Sequence, residues 1–124
     1  MGLYSLTGIE YFTGLETLEC KSNNLVSVPE LSVNLKYLDL RSNNLIQIAP
    51  LPEGLLEVDL RYNSLPSVPF FPNSITNLKI CYNDLNVLPN LPDSLEVLFC
   101  AYNNLIELPP LPSKIEQILC YNNQ

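Results

Sequence analysis

Leu95–Lys114 reads LEVLFCAYNNLIELPPLPSK, and the rest of the chain is laid out from it in steps of twenty residues. Stepping back gives Ile75–Ser94, Leu55–Ser74, Leu35–Gly54 and Leu15–Asn34. Stepping forward gives half a unit, Ile115–Gln124. No gap is needed, so 110 of the 124 residues obey one period. A fixed period of this size marks a stack of structural units, each of which buries its apolar face against the next.

Within the unit, numbered from its first residue, the apolar positions are constant. Position 1 is Leu15, Leu35, Leu55, Ile75, Leu95 and Ile115. Position 4 is Leu18, Leu38, Val58, Leu78, Leu98 and Ile118, and position 6 is Cys20, Leu40, Leu60, Ile80, Cys100 and Cys120. Position 9 is always asparagine: Asn23, Asn43, Asn63, Asn83, Asn103 and Asn123. Position 11 is Leu25, Leu45, Leu65, Leu85 and Leu105. The pattern L-x-x-L-x-[LC]-x-x-N-x-L resembles the leucine-rich-repeat signature at the short end of its period range.

The second half of the unit narrows the resemblance. Positions 14 to 18 read VPELS, IAPLP, VPFFP, LPNLP and LPPLP. This is similar to the Pro-rich repeat of secreted bacterial effectors, in which a pair of Leu-Pro steps precedes the next strand. The N-terminal SLTGIEYFTGLETLEC resembles the lead-in segment of bacterial surface internalin-like repeats. The resemblance implies a bacterial-type leucine-rich-repeat protein that works by binding protein partners.

The expected fold is a solenoid with a concave parallel β-sheet of about six short strands. Alternation along each strand sends positions 4 and 6 inward and positions 3, 5 and 7 outward. Pro at positions 15 and 18 excludes a long helix from the return limb, so extended polyproline or 3₁₀ segments are expected on the convex side. Ala49-Pro50 shifts the first of these prolines by one place. Leu31, Leu51, Phe71, Leu91 and Leu111 at position 17 are expected to pack the convex side of the core. The position-9 amides form a structural ladder, because an amide both donates and accepts hydrogen bonds. Residues 1–14 stand outside the period and are expected to cap the solenoid of 15–124. There Thr7-Gly8-Ile9-Glu10 fits a capping box. Leu6, Ile9 and Phe12 are spaced to cover the open end of the core.

Composition bounds the function. The net charge is −7 and no basic stripe exists, which argues against nucleic acid as a partner. No apolar run is long enough to span a membrane. No Lys or Arg precedes Lys21, so a basic-then-apolar leader is not visible. The compartment is then cytoplasmic, or secreted or cell-surface if a leader has been removed.

Catalysis finds little support. His is absent, as is any phosphate-cradling glycine loop. Cys20, Cys100 and Cys120 occupy a core position where other units place Leu or Ile, so they read as small buried hydrophobes. Cys100 and Cys120 are neighbours on adjacent strands, and sequence leaves a disulfide between them open. Cys81 at position 7 is expected to face outward and to be the reactive thiol. Related effectors sometimes carry a ubiquitin-ligase domain with a Cys-x-Asp motif; no Cys here is followed by x-Asp. No enzyme activity, metal or cofactor is expected.

The outward positions divide the concave face. Position 5 runs Glu19, Asp39, Asp59, Lys79, Phe99, Leu119, and position 7 runs Lys21, Arg41, Arg61, Cys81, Ala101, Tyr121. The early units therefore carry an acidic row beside a basic one. Asp39, Arg41, Asp59 and Arg61 either offset the repulsion of stacked like charges or match a partner's charges. The late units present Val97, Phe99, Ala101, Leu119 and Tyr121, with Tyr62, Tyr82 and Tyr102 in a column at position 8. An uncovered apolar patch with aromatic residues suits an interface. The expected function is a protein-binding module using Val97, Phe99, Tyr102, Leu119, Tyr121, Tyr62, Tyr82 and the charged rows. Two rival readings are a self-assembling solenoid, dimeric through its C-terminal repeats, and the recognition part of a larger bacterial effector.

Overall fold

The structure, a computed structural model, describes residues 2–124. It contains six strands, β1 (Thr17–Glu19), β2 (Tyr37–Asp39), β3 (Glu57–Asp59), β4 (Asn77–Lys79), β5 (Val97–Phe99) and β6 (Gln117–Leu119). They form one parallel sheet in sequence order. Register follows the sequence period: Leu18 opposes Leu38, Leu38 opposes Val58, and Leu98 opposes Ile118. Each strand contacts only its neighbours in the chain.

The core is a column of side chains from positions 1, 4, 6 and 11. Leu35, Leu38, Leu40, Leu45, Leu55, Leu60, Leu65, Ile75, Leu78 and Ile80 are fully buried. Position 4 alternates inward on each strand, as a pleated strand requires. At position 17, Leu51 and Phe71 are buried and Leu31 and Leu91 are half-buried. Leu111 departs from the expectation of a packed position: it is exposed, because no described limb lies over it.

After each strand the chain reverses through a left-handed residue. Ser22, Ser42, Tyr62, Tyr82, Tyr102 and Asn122, all at position 8, have φ between 54° and 57°. Each N–H from Ser22 to Tyr102 still bonds the next repeat, as Ser42 does to the Arg41-equivalent carbonyl of Arg61 at 2.9 Å. The left-handed step turns the following asparagine under the bend. There its amide ties two repeats together: Asn43 accepts the Leu25 N–H at 3.0 Å and donates to the carbonyls of Cys20 and Leu40 at 2.9 Å. The same pattern recurs at Asn63, Asn83, Asn103 and Asn123.

The return limbs carry neither strand nor helix, in keeping with their prolines. The 3₁₀ helix among the described residues is Ile9–Tyr11, in the N-terminal segment. That segment differs in two ways from its expected form. The Thr7 hydroxyl bonds Ser5 instead of capping the helix, while Glu10 does reach back to the Gly8 N–H at 2.9 Å. Leu6 and Ile9 pack on the core, but Phe12 is 63% exposed and covers nothing.

The segment is better understood as the second half of a repeat. The Leu3 N–H donates to Asn23 Oδ1 at 2.9 Å, as the Leu25 N–H does to Asn43 Oδ1 at 3.0 Å. Leu3 also accepts from the Asn24 N–H, as Leu25 accepts from the Asn44 N–H. Leu3, Leu6 and Ile9 therefore stand where Leu25, Val28 and Leu31 stand one turn later. The extra residues before Leu15 are absorbed by the 3₁₀ turn.

Candidate partner-binding face

The concave sheet face changes character along the solenoid. In its first half, charges neutralise one another. Arg61 grips Asp59 with two nitrogens, Nε at 2.9 Å from Oδ1 and Nη2 at 2.6 Å from Oδ2. This hydrogen bond is the main reason the Arg61 guanidinium is held above its ordinary value. Arg41 Nη2 lies 3.1 Å from Asp39 Oδ2 and its Nη1 lies 3.9 Å from Asp59 Oδ2. Asp39 Oδ1 accepts the Arg41 backbone N–H at 3.2 Å; Oδ2 meets Arg41 as an ion pair without hydrogen-bond geometry.

These pairs overturn one expectation. Asp39 is 0% exposed and Asp59 6%, so neither offers its carboxylate to a partner. The reason is that a carboxylate on a short stem, flanked on adjacent strands and roofed by an arginine two residues on, is covered by its own ion pair. Arg41 and Arg61 remain partly exposed at the roof. Glu19 and Lys21, whose 3.8 Å pair lies at the sheet edge, stay in water.

The second half is different. Lys79 has no carboxylate within ion-pair distance among the described residues and lies 5.9 Å from the centre of the Phe99 ring. Val97 and Phe99 are half-buried, and Leu119 and Tyr121 are exposed. Cys81 and Ala101 are not outward-facing in effect: they are 6% and 1% exposed, small side chains sunk between larger neighbours. Burial also pushes the Cys81 thiol up, so it is not the reactive cysteine that alternation suggested. Cys120 is exposed, and all four cysteines are free, including the adjacent Cys100 and Cys120.

Along the rim, Tyr62, Tyr82 and Tyr102 stack face to face. Ring centres are 4.3 and 4.2 Å apart, and Tyr121 closes the row edge-on at 5.5 Å. Left-handed backbone costs a bulky residue ~1–2 kcal/mol. Each aromatic pair returns about 0.5–1.5 kcal/mol. The two nearly cancel, and Ser22 and Ser42 hold the same turn without a ring. The tyrosines are therefore not required by the turn. They remain 39–50% exposed and extend the apolar zone toward its edge.

The six-stranded parallel sheet, the asparagine ladder and this open concave face define a leucine-rich-repeat solenoid. The Leucine Rich Repeat family model matches residues 34–56. YopM from Yersinia enterocolitica superposes with a TM-score of 0.86 at 33% identity, over 90% of this chain and 25% of that one. The leucine-rich-repeat domain of a Shigella effector gives 0.87 at 29% identity, over 91% and 52%. YopM from Yersinia pestis, a leucine-rich effector protein, gives 0.72 at 28%, over 90% and 39%. No curated protein matches the sequence. The chain is thus a leucine-rich-repeat protein, and its repeats are like those of bacterial effectors. It spans from a quarter to about half the length of these three proteins.

Among the described residues no cluster of His, Cys, Asp and Glu could hold a metal ion, and no helix is long and apolar enough to cross a membrane.

Proposed function

We propose that this chain is a protein-interaction module that binds its partner on the second half of the concave face. Val97, Phe99, Leu119 and Tyr121 form the apolar anchor, and Tyr62, Tyr82 and Tyr102 its aromatic rim. Arg41 and Arg61 border it as a fixed, mostly neutralised edge. The supporting observation is the contrast within one sheet. Where charges line the face they are spent on each other, and where they end an apolar zone lies open to water. The apolar area left in water there adds nothing to the fold and suits an interface core. The likeness to Yersinia and Shigella effectors supports a secreted or surface protein directed at a host, or the recognition part of a larger effector. The role is binding without catalysis.

The test is a double variant, Phe99→Asp with Leu119→Asp, beside Ile46→Asp on the opposite limb, each checked for an unchanged melting profile. Proteins retained by the immobilised wild type and by each variant are quantified by mass spectrometry. The partner should be lost with the double variant and kept with Ile46→Asp. Identical profiles for all three would sink the reading.

Exposure of Leu119 and Tyr121 beside the outward edge of β6 favours a second reading, pairing of copies through that region. Sedimentation across a concentration series should then show a dimer that Leu119→Glu dissociates; a wild type that stays monomeric throughout rules it out.

A further inference from the structure

The convex side carries a site of its own. In the third repeat the return limb reads Val68-Pro69-Phe70-Phe71-Pro72. Phe71 fills the usual core position, 8% exposed, but Phe70 is 86% exposed. At the same position the other repeats place Glu30, Pro50, Asn90 and Pro110. Phe70 borders a pocket of about 480 Å³ that spans the limbs of the second, third and fourth repeats. Its walls are Pro50, Leu51, Val68, Val87 and Leu88, and Val87 is itself 63% exposed. Glu53 and Ser67 supply its polar side chains.

Three properties fit this pocket for recognition. Its volume falls in the range of ligand pockets, about 300–1,000 Å³. Its walls are preformed, because proline fixes the limbs and little ordering is left to oppose binding. Its phenyl ring and valine side chain gain nothing for the fold by standing in water.

The character of the occupant follows from shape and charge. Small-molecule sites enclose most of the ligand surface. Here the outer side is open, with the Phe70 ring largely in solvent, so the occupant must bring its own cover, as a protein segment does. Charged residues on the return limbs are Glu30, Glu53, Asp84, Asp93 and Glu107 against Lys114. Glu53, at the pocket, has no cation within ion-pair distance among the described residues, although the Lys36 ammonium packs against the adjacent Gly54. We infer that this convex pocket is a second docking site, for an extended protein segment in which an aromatic or aliphatic side chain stands next to lysine or arginine. The apolar side chain enters between Phe70 and Val87, and the cation meets Glu53. The chain would then hold two partners, or two parts of one, on opposite faces.

The probe is the peptide acetyl-Gly-Leu-Phe-Arg-Lys-Gly-amide, followed through the methyl resonances of Val68, Val87 and Leu88. Saturable shifts with Kd below about 1 mM are expected. Phe70→Ser should weaken binding about tenfold or more, a loss within the range for one apolar anchor. Glu53→Gln, and separately a probe with Glu-Glu in place of Arg-Lys, should each weaken it several-fold. Both substituted side chains are exposed, so circular dichroism should show both variants folded. Phe99→Asp should leave this binding unchanged, which separates it from the concave site. The inference fails if the peptide gives no saturable shift, if Phe70→Ser binds like the wild type, or if the shifts fall on Val97 and Leu119. It also fails if phenethylammonium binds as tightly as the peptide, since the site would then be one for a small molecule.

Discussion

Asn83 shows what one side chain does in this fold. Its Oδ1 accepts the Leu65 N–H at 3.0 Å, and its Nδ2 donates to the Leu60 and Ile80 carbonyls at 3.0 and 3.2 Å. Those backbone groups lie in a buried bend with no strand partner. Removing the amide strands the buried Leu65 N–H, at ~1–3 kcal/mol, and takes one of two amide donors from each carbonyl, since Asn63 also reaches Leu60 and Asn103 also reaches Ile80, each at 3.0 Å. Asn83→Ala should therefore lower stability by about 2 kcal/mol, whereas Glu107→Ala, at an exposed position, should change it little. Equal urea midpoints for the two variants would contradict the ladder's role. The cysteines give a second prediction at this scale. Cys120 should react first with iodoacetamide in the folded chain, and Cys100 last, since burial and then the neighbouring Cys120 push its thiol up to about 12. Peptide mapping of partly labelled protein decides the order. Here sequence was informative about type and incomplete about environment. A six-fold asparagine at one position announces a backbone role. By contrast, alternation says where Cys81, Ala101 and Asp39 point, and not how far Arg41 or a flanking strand covers them.

At the scale of the element, the strands and their register follow from a period of twenty with no insertion, so β1 to β6 were legible in position and pairing. The turn after each strand was not. Ser22, Ser42, Tyr62 and Asn122 share one left-handed conformation although their side chains have little in common, and no glycine marks the place. The stacked tyrosines on that turn carry a pH signature. Tyr82 is held between two rings; loss of hydration, then hydrogen bonding and repulsion with Tyr102, push its phenol from an ordinary 10 up to about 12. The folded chain thus keeps a proton that the unfolded chain gives up. This contribution to stability is whole below pH 10 and is lost as pH rises toward about 12. Cys100 acts in the same direction from pH 9 upward. Unfolding midpoints measured from pH 8 upward should fall with pH in the wild type, and less steeply in Tyr82→Ser and in Cys100→Ala. A parallel decline in all three would remove the assignment. The N-terminal segment was half legible: the spacing of Leu6 and Ile9 was visible, but its match to Val28 and Leu31 was hidden by the two added residues before Leu15.

For the whole molecule, the candidate face was legible only where residue type decides exposure. Val97, Phe99, Leu119 and the tyrosine column lie together because every outward position repeats at the strand spacing. The convex pocket was invisible in the sequence, because Phe70 and Phe71 are alike in type and differ only in which side of an extended limb they occupy. The connectivity of the sheet has a mechanical meaning. Among the described residues no strand touches any but its neighbours, so no strand-to-strand contact clamps the two ends together. A chain held at its termini and stretched has no single breaking point; it peels from one end, a repeat at a time. Each release should lengthen it by about 60–70 Å, the extended span of twenty residues less one strand spacing. Force–extension traces should show a train of small, evenly spaced steps, and one cooperative rupture of the full solenoid would show that the repeats are coupled beyond their neighbours. The protein is, in tension, closer to a zip than to a knot.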